Sequence, residues 1–373
     1  MRWCPGFGQH WTTSRKDTDV RALKYRAPWD IAVRTVDDLH IVGPDDVVVD
    51  VACCGICGTD LAIAAGTYPV AVPGVTLGHE ATGVVAEIGA DVDTIKIGDR
   101  VVINPTPYCG TCRMCRTQRI NHCVNKAGTE SGVSYDGAFA DRYRTTAQFV
   151  HPLPDDVSLE AAALTEPLSC VLSGVRKIQP PTMAAFTYVF GAGPLGVLYA
   201  WALWLRGLSP VVIETSPARL AYAGKCLPDG VPAYASLGEA RNDHFGDPAA
   251  PLDVVVDTTS MLLQELYPQL ACGGTFLSIG LKRKDMTIDG MHLADRSLSV
   301  IGSIDSLHGS FAEAYHLVTT GRIPTERLVS HVIPLTEYRT AFATLGCDLD
   351  ARSVTPTDTQ SCKVLLSADP RRS

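Results

Sequence analysis

Cys109, Cys112, Cys115 and Cys123 fall within 15 residues, at spacings x2, x2 and x7. Four thiolates on one short loop, which also carries Gly110, suit a closed tetrahedral zinc site. Similar spacings hold iron–sulfur clusters. Such clusters more often come with other redox centres, and this chain has no second cysteine group. A closed four-cysteine site leaves no position for substrate, so its ion is expected to be structural. The remaining cysteines (Cys4, Cys53, Cys54, Cys57, Cys170, Cys226, Cys272, Cys347 and Cys362) are scattered. Thirteen cysteines with no export signal point to reduced thiols and metal rather than to a disulfide framework.

A catalytic zinc takes about three protein ligands and keeps one position open. Gly55-Ile56-Cys57-Gly58-Thr59-Asp60 and Gly78-His79-Glu80 offer Cys57 and His79, and either Glu166 or Cys170 could complete the set. No two of these residues are close enough in sequence to establish a site by spacing alone. Cys53 and Cys54, on the same segment as Cys57, read as core thiols or turn residues.

A third chemical signal is Gly191-Ala192-Gly193-Pro194-Leu195-Gly196, a G-x-G-x-x-G run. It follows the apolar strand Tyr188–Phe190 and opens an apolar helix, the context in which the motif binds a dinucleotide. The first glycine permits the tight turn, the second lets backbone amides approach a pyrophosphate, and the third allows close helix-to-strand packing. Glu214 ends the next strand, 21 residues after Gly193. An acidic group there can accept hydrogen bonds from a ribose diol and would repel a 2′-phosphate, so NAD is expected rather than NADP. Arg219 could serve a phosphate, or cap or solvate the following helix.

The elements that must position these groups fall into two kinds. Residues 22–50 alternate in short apolar runs, and 22–25, 31–36, 47–51, 83–88 and 99–103 read as strands. The first third is therefore β-rich with long functional loops. From Glu160 to Lys177 the spacing is helical until Pro180 and Pro181. Next come the strand 188–190, the glycine turn, a helix over 197–208, a strand at 211–213, a helix over 218–225 and buried strands at 254–256 and 275–279. Strand–helix–strand at this spacing reads as a doubly wound parallel sheet. The Pro- and Asp-rich stretch 243–253 reads as a surface loop; the tail carries a helix at 311–319 and strand-like pieces at 329–333 and 363–366.

With these pieces in order, the chain resembles the zinc-dependent medium-chain dehydrogenase/reductases of the alcohol and polyol dehydrogenase type. The resemblance runs from about Ala22 to Leu366 and rests on the Cys57 and His79 segments, the quartet, Asp136-Gly137-Ala138-Phe139-Ala140, Glu166-Pro167-Leu168 and the glycine run. It implies an α/β architecture: a GroES-like β-rich catalytic domain made from both chain ends, plus an inserted Rossmann domain. The expected division is an extension at 1–21, catalytic domain at 22–180, Rossmann domain at 181–305 and a return to the catalytic domain at 306–373. By position, Cys57, His79 and Glu166 match the catalytic-zinc ligands. Glu80 resembles an exchanging ligand, Asp60 the carboxylate that orients His79, and Thr59 the hydroxyl that passes the alcohol proton onward. The resemblance departs at Ala62, where many members carry a histidine that ends the proton relay. Two zinc ions per chain, NAD, and hydride transfer to or from a secondary alcohol of a polyol, sugar or cyclitol follow as expectations. Threonine or simple alcohols on the same fold, a zinc-free reductase, and a non-catalytic NAD(P)-binding sensor are the alternatives.

Composition excludes other classes. The chain has 373 residues, which suggests two or three domains at ~100–200 residues each. A 46% hydrophobic and 19% charged composition is that of a folded chain. A net charge of -8 argues against nucleic acid as partner, and the one basic run, Lys282-Arg283-Lys284, reads as a solvated turn. The longest apolar stretch, Pro194 to Leu205, has 12 residues, short of the ~20 a spanning helix needs. The expected partner is a small-molecule alcohol or ketone, the expected assembly a homodimer or homotetramer, and the expected location the cytoplasm.

Overall fold

The computed structural model describes residues 20–368 except Pro69, Ala127, Thr129, Pro181, Met183, Arg283, Lys284 and residues 356–359. Most of the expected extension, and Arg283 and Lys284 of the basic run, lie outside the described residues. The first strand begins at Val20, so Val20 and Arg21 belong to the folded body. Arg21 fixes this start: its guanidinium makes two bonds to Asp141, at 3.0 and 2.7 Å, and one to the Ala368 carbonyl at 2.9 Å.

The β-rich part is a seven-stranded sheet whose main path runs Val329–Pro334, Lys363–Ser367, Asp46–Gly55, Glu80–Ile88, Arg100–Ile103, Val150–Pro152, with Arg142–Thr146 pairing Asp46–Gly55. The tail strand Lys363–Ser367 runs antiparallel to Asp46–Gly55, setting Leu365 opposite Gly55 and Leu366 opposite Cys54. The last described strand thus lies beside the segment that leads into Cys57. Burial on both faces explains the nearly continuous apolar run of Asp46–Gly55.

The second part is a six-stranded parallel sheet ordered Ala233–Tyr234, Pro210–Ile213, Thr187–Phe190, Leu252–Asp257, Leu270–Ser278, Ser299–Gly302. This is the doubly wound order, with the first strand central and the chain reversing direction beside it. The two parts share a core in which Leu168, Val171 and Leu172 meet Val197, Leu198, Phe311 and Ala314. No helix among the described residues is long and apolar enough to cross a membrane.

Three expectations need correction. The helix expected over 160–177 is two helices, Leu159–Ala162 and Thr165–Val175. Pro167 has no N–H to bond the Ala163 carbonyl, so the helix restarts and Glu166 falls in its first turn. The helix expected over 197–208 is Pro194–Leu205, because Pro194 sits at its first position with a preset φ and no N–H to satisfy. The stretch 243–253 is only partly loop: a single-turn π-helix, Ala240–His244, runs into it and the strand Leu252–Asp257 begins inside it. The short helices Gly58–Ala64 and Tyr338–Thr344 carry no clear periodic signal and were not expected.

Candidate active site and metal centres

Cys57 leaves the strand Asp46–Gly55 and caps the helix Gly58–Ala64. Asp60, fully buried in that helix, accepts from the Cys57 amide through Oδ2 at 2.9 Å. Its Oδ1 lies 3.9 Å from His79 Nδ1, so one carboxylate both ties back the Cys57 backbone and faces the imidazole. Burial disfavours the charged imidazole, but Asp60, Cys57 and Glu130 together outweigh it and hold the His79 pKa well above its usual range.

The Asp136-to-Ala140 loop aims His79. Gly137, Ala138 and Phe139 donate backbone bonds to Thr76, Gly78 and Leu77 at 2.7, 2.9 and 2.8 Å. Gly78 turns at φ +92, and a Cβ there would meet the Phe139 ring at 2.5 Å. Only glycine fits both the turn and the contact.

Cys57, His79 and Glu80 place one ligand atom each within 4.8 Å of one another. Glu166 lies not in that group but in an adjoining one with Cys170 and Asp305, also within 4.8 Å. The groups are close enough for His79 to act on the Glu166 charge. Cys170, an alternative ligand by sequence, instead donates to Glu166 Oε1 at 3.2 Å. Thr59 Oγ1 sits 3.7 Å from Cys57 Sγ, at the mouth of the same group.

Carboxylates crowd this region. Burial raises Glu166 to about 8 and Glu130 to about 7, and it raises Asp60 and Asp305 as well. Buried carboxylates beside a cysteine and a histidine are a donor set that a divalent cation completes, because the ion offsets the desolvation that raises them. The residues present therefore fit a zinc ion.

Sequence reasoning missed Lys363. Its ammonium lies 2.5 Å from Glu80 Oε2 and 2.6 Å from Oε1, and donates to the Ile56 carbonyl at 3.1 Å. Lys363 is 3% exposed, so the pair has almost no water to share its charge. The available signal was a lysine heading an otherwise apolar strand. Asp305 was also missed, because no motif marks the segment after Ser299–Gly302.

The quartet is a separate lobe. Cys112 Sγ lies 3.5 Å from Cys115 and 3.9 Å from Cys123, and Cys109 lies 4.0 Å from Cys115. A tetrahedron with ~2.3 Å Zn–S bonds has edges near 3.8 Å, so the sulfurs suit one ion. All four lie within 4.8 Å, which leaves no room for a multi-iron cluster. The amides of Thr111 and Cys112 and the side chain of Asn125 point at Cys109 Sγ from 3.4, 3.3 and 3.3 Å. Hydrogen bonds from Thr111 and Cys112 lower the Cys109 thiol to about 5, so it is poised as a thiolate.

The glycine run has the shape its spacing suggests. Gly191 turns at φ +93, and a Cβ on Gly196 would fall 1.8 Å from the Gly191 carbonyl oxygen. A Cβ on Gly193, which caps the helix Pro194–Leu205, would meet nothing within 4 Å. That open space at a helix N-terminus is where a pyrophosphate fits. Glu214 is buried beside it, accepting from Ala192 N at 2.9 Å, Ser216 N at 2.8 Å and Arg219 Nη2 at 3.0 Å. Arg219 therefore pairs with Glu214; the helix cap is Ser216.

Residues 43–155 match the alcohol dehydrogenase GroES-like domain. The chain is 32% identical to a probable D-xylulose reductase A of Aspergillus clavatus over 314 residues, 80% of this chain and 86% of that one. The chain belongs to the zinc-dependent medium-chain dehydrogenase/reductase family. The dehydrogenase is also 31% identical to D-altritol 5-dehydrogenase of Agrobacterium fabrum, over 87% of this chain and 93% of the relative. It is 30% identical to D-arabitol-phosphate dehydrogenase of Enterococcus avium, over 80% and 86%. Among solved structures it resembles a zinc-binding dehydrogenase of Sinorhizobium meliloti bound to NADP, with TM-score 0.80 and 26% identity over 94% of this chain and all of that one. The GroES-like plus Rossmann architecture is thereby established, and the protein is an oxidoreductase of small-molecule alcohols.

Proposed function

We propose that the dehydrogenase transfers hydride between NAD and a secondary hydroxyl of a polyol, sugar or cyclitol, with Cys57, His79 and Glu166 as catalytic-zinc ligands and the quartet as a second, structural zinc site. The observation that carries this reading is the pairing of Cys57 and His79 beside a wall of buried carboxylates. Glu166 is preferred over Glu80 as third ligand because Glu80 is already neutralised by Lys363, which leaves Glu80 an exchanging role. A zinc ion bound there would act as Lewis acid on the substrate hydroxyl and lower its pKa, while the nicotinamide accepts the hydride.

The chain's own residues do the rest. Thr59 Oγ1 receives the hydroxyl proton, and Asp60 holds the His79 ring in place. Ala62 can take no proton, so the relay leaves Thr59 toward the cofactor ribose and water rather than along this helix. Gly193 admits the pyrophosphate, and the Glu214 carboxylate disfavours a 2′-phosphate, which supports NAD. The names of the polyol-acting relatives support the substrate class.

The reading also includes a homodimer or homotetramer. Ser299–Gly302 is a sheet edge paired on one side only, and Met286, Ile288 and Met291 nearby in the chain are exposed. An open sheet edge is a template for pairing with another chain.

The test is NADH formation on a panel of alditols, cyclitols, threonine and simple alkanols. A polyol or cyclitol with the highest kcat/KM supports the reading. Threonine or an alkanol at the top, or NADH binding with no turnover anywhere on the panel, sinks it.

A further inference from the structure

We propose that Asp305 sets substrate charge: its carboxylate accepts hydrogen bonds from hydroxyls of an uncharged polyol and turns phosphorylated polyols away. This inference rests on the polyol reading above and deepens it.

Asp305 arrives at the site on the segment that follows Ser299–Gly302, and two pieces of chain, residues 118–121 and the helix Thr165–Val175, grip that segment. Asn121 Nδ2 donates to the Ile304 carbonyl at 3.0 Å, and His308 N donates to the Gln118 carbonyl at 3.2 Å. Leu307 N donates to Ser173 Oγ at 2.8 Å, and the Ser306 and Ser169 hydroxyls bond each other. Asp305 itself is held at φ +58, an uncommon backbone state for a non-glycine residue.

Its two oxygens are treated differently. Oδ1 accepts from Thr106 Oγ1 and from Ser306 N, both at 2.5 Å. Among the described residues, Oδ2 has one ion-pair contact, to the Lys126 ammonium at 3.9 Å, beyond hydrogen-bond reach. One oxygen is anchored and the other is left to accept. The anchored carboxylate lies within 4.8 Å of Glu166 and Cys170, so what it accepts from is a group beside the reaction site.

Charge decides what that group can be. Glu130 and Glu166 lie near enough to feel Asp305, and His79 and Lys126 are the cations acting on Glu130 and Asp305. With Glu166 and a neutral His79 engaged as metal ligands, the carboxylates of Glu130 and Asp305 still face one lysine. A phosphate dianion entering there would meet like charge in a mostly buried setting, whereas a hydroxyl would find an acceptor. The relatives divide on this property, since one is named for D-altritol and another for D-arabitol phosphate. Discrimination between such ligands comes as much from repulsion of the wrong one as from attraction of the right one.

The experiment measures steady-state kinetics of the metal-loaded enzyme with NAD. The neutral probes are D-arabitol, xylitol and D-altritol, and the charged probe is D-arabitol 1-phosphate. Wild type is expected to favour the best neutral probe by about 100-fold in kcat/KM. Asp305→Asn should raise KM for that probe about 10-fold with kcat within about 3-fold, and should narrow the preference at least about 10-fold. NADH affinity, read by fluorescence, should not move. Thr106→Val, which removes one of the two anchoring bonds and keeps the carboxylate, should act in the same direction to a smaller extent, and covers the case in which Asp305→Asn fails to fold. A preference unaltered in both variants, a loss confined to kcat, or a wild type that favours the phosphate overturns the inference. These failures are distinct from that of the polyol reading, in which wild type binds NADH but oxidises neither these probes nor any alditol or cyclitol of the wider panel.

Discussion

The quartet lobe and the Cys57–His79 site arrange their candidate metal ligands in opposite ways. The quartet takes all four donors from one loop, and local amides from Thr111 and Cys112 tune its sulfurs. The other site brings Cys57, His79 and Glu80 together from separate segments, sets Glu166 in an adjoining group, and surrounds them with buried charge. A site built from one short loop can saturate its ion and stabilise the fold around it. A site assembled across elements can leave a position open, but only if carboxylates such as Asp60 and Glu80 are restrained by His79 and Lys363. Closure and openness thus follow from how far apart the ligands are in the chain.

That contrast can be broken most forcefully at the dispersed site. Cys57→Ser or His79→Ala should lower kcat/KM by at least about 1000-fold, or ~4 kcal/mol of transition-state stabilisation. The melting temperature should move little, because the quartet is untouched. A comparable loss of turnover from Cys112→Ser, with the fold intact, would erase the distinction. Next in size, Asp60→Asn should weaken metal binding at the dispersed site about 10–100-fold, as loss of a group that orients a ligand commonly does. Equilibrium metal competition reads this directly, and unchanged affinity would remove Asp60 from the account.

Glu214→Ala should cost about 10-fold in NAD affinity and shift preference toward NADP, because Arg219 loses its partner and becomes available to a 2′-phosphate. Titrating both cofactors into the variant decides it; an unchanged ratio of the two affinities counts against the NAD assignment. Cys112→Ser should instead lower the melting temperature by about 5–10 °C while kcat per folded molecule stays within about 10-fold.

The smallest effect is a pH effect at the loop that aims His79. Burial alone would raise the Asp136 carboxyl, but Lys24 at 2.8 Å and the Thr76 amide at 2.7 Å outweigh it and hold it below its usual value. A carboxyl with a lower pKa in the folded than in the unfolded state adds stability above the unfolded value and loses it as pH falls through the folded one. Asp136→Asn should therefore flatten the acid limb of the stability curve below about pH 4. With the Asp136 side chain 67% exposed, solvent screening keeps the effect under about 1 kcal/mol. An identical acid limb in the variant would mean the loop does not depend on this pair.

The same contrast explains what could be read from the sequence. The quartet and the glycine run were legible because their chemistry is written in short spacings and local turns. Glu214 was legible because the distance from a glycine turn to the next strand end is nearly constant. The β-rich half and the parallel sheet followed from apolar runs between breakers. Cys57, His79 and Glu166 could be nominated by residue type beside Cys170, but singled out only by resemblance, since no spacing brings residues 57, 79 and 166 together. Lys363 and Asp305 escaped because their roles exist only after the tail strand folds back beside Asp46–Gly55 and the 304–308 segment docks on Thr165–Val175. The break at Pro167 was visible in the sequence, but a missing N–H was outweighed by the apolar period on either side.

The most direct test of two metal sites of opposite design is metal content per chain for wild type, Cys57→Ser and Cys112→Ser, measured alongside turnover and melting. Wild type is expected to hold about two zinc ions and each variant about one, with turnover lost only in Cys57→Ser and thermal stability lost only in Cys112→Ser. One ion in wild type that disappears with the quartet, or both ions lost from either variant, would contradict that expectation.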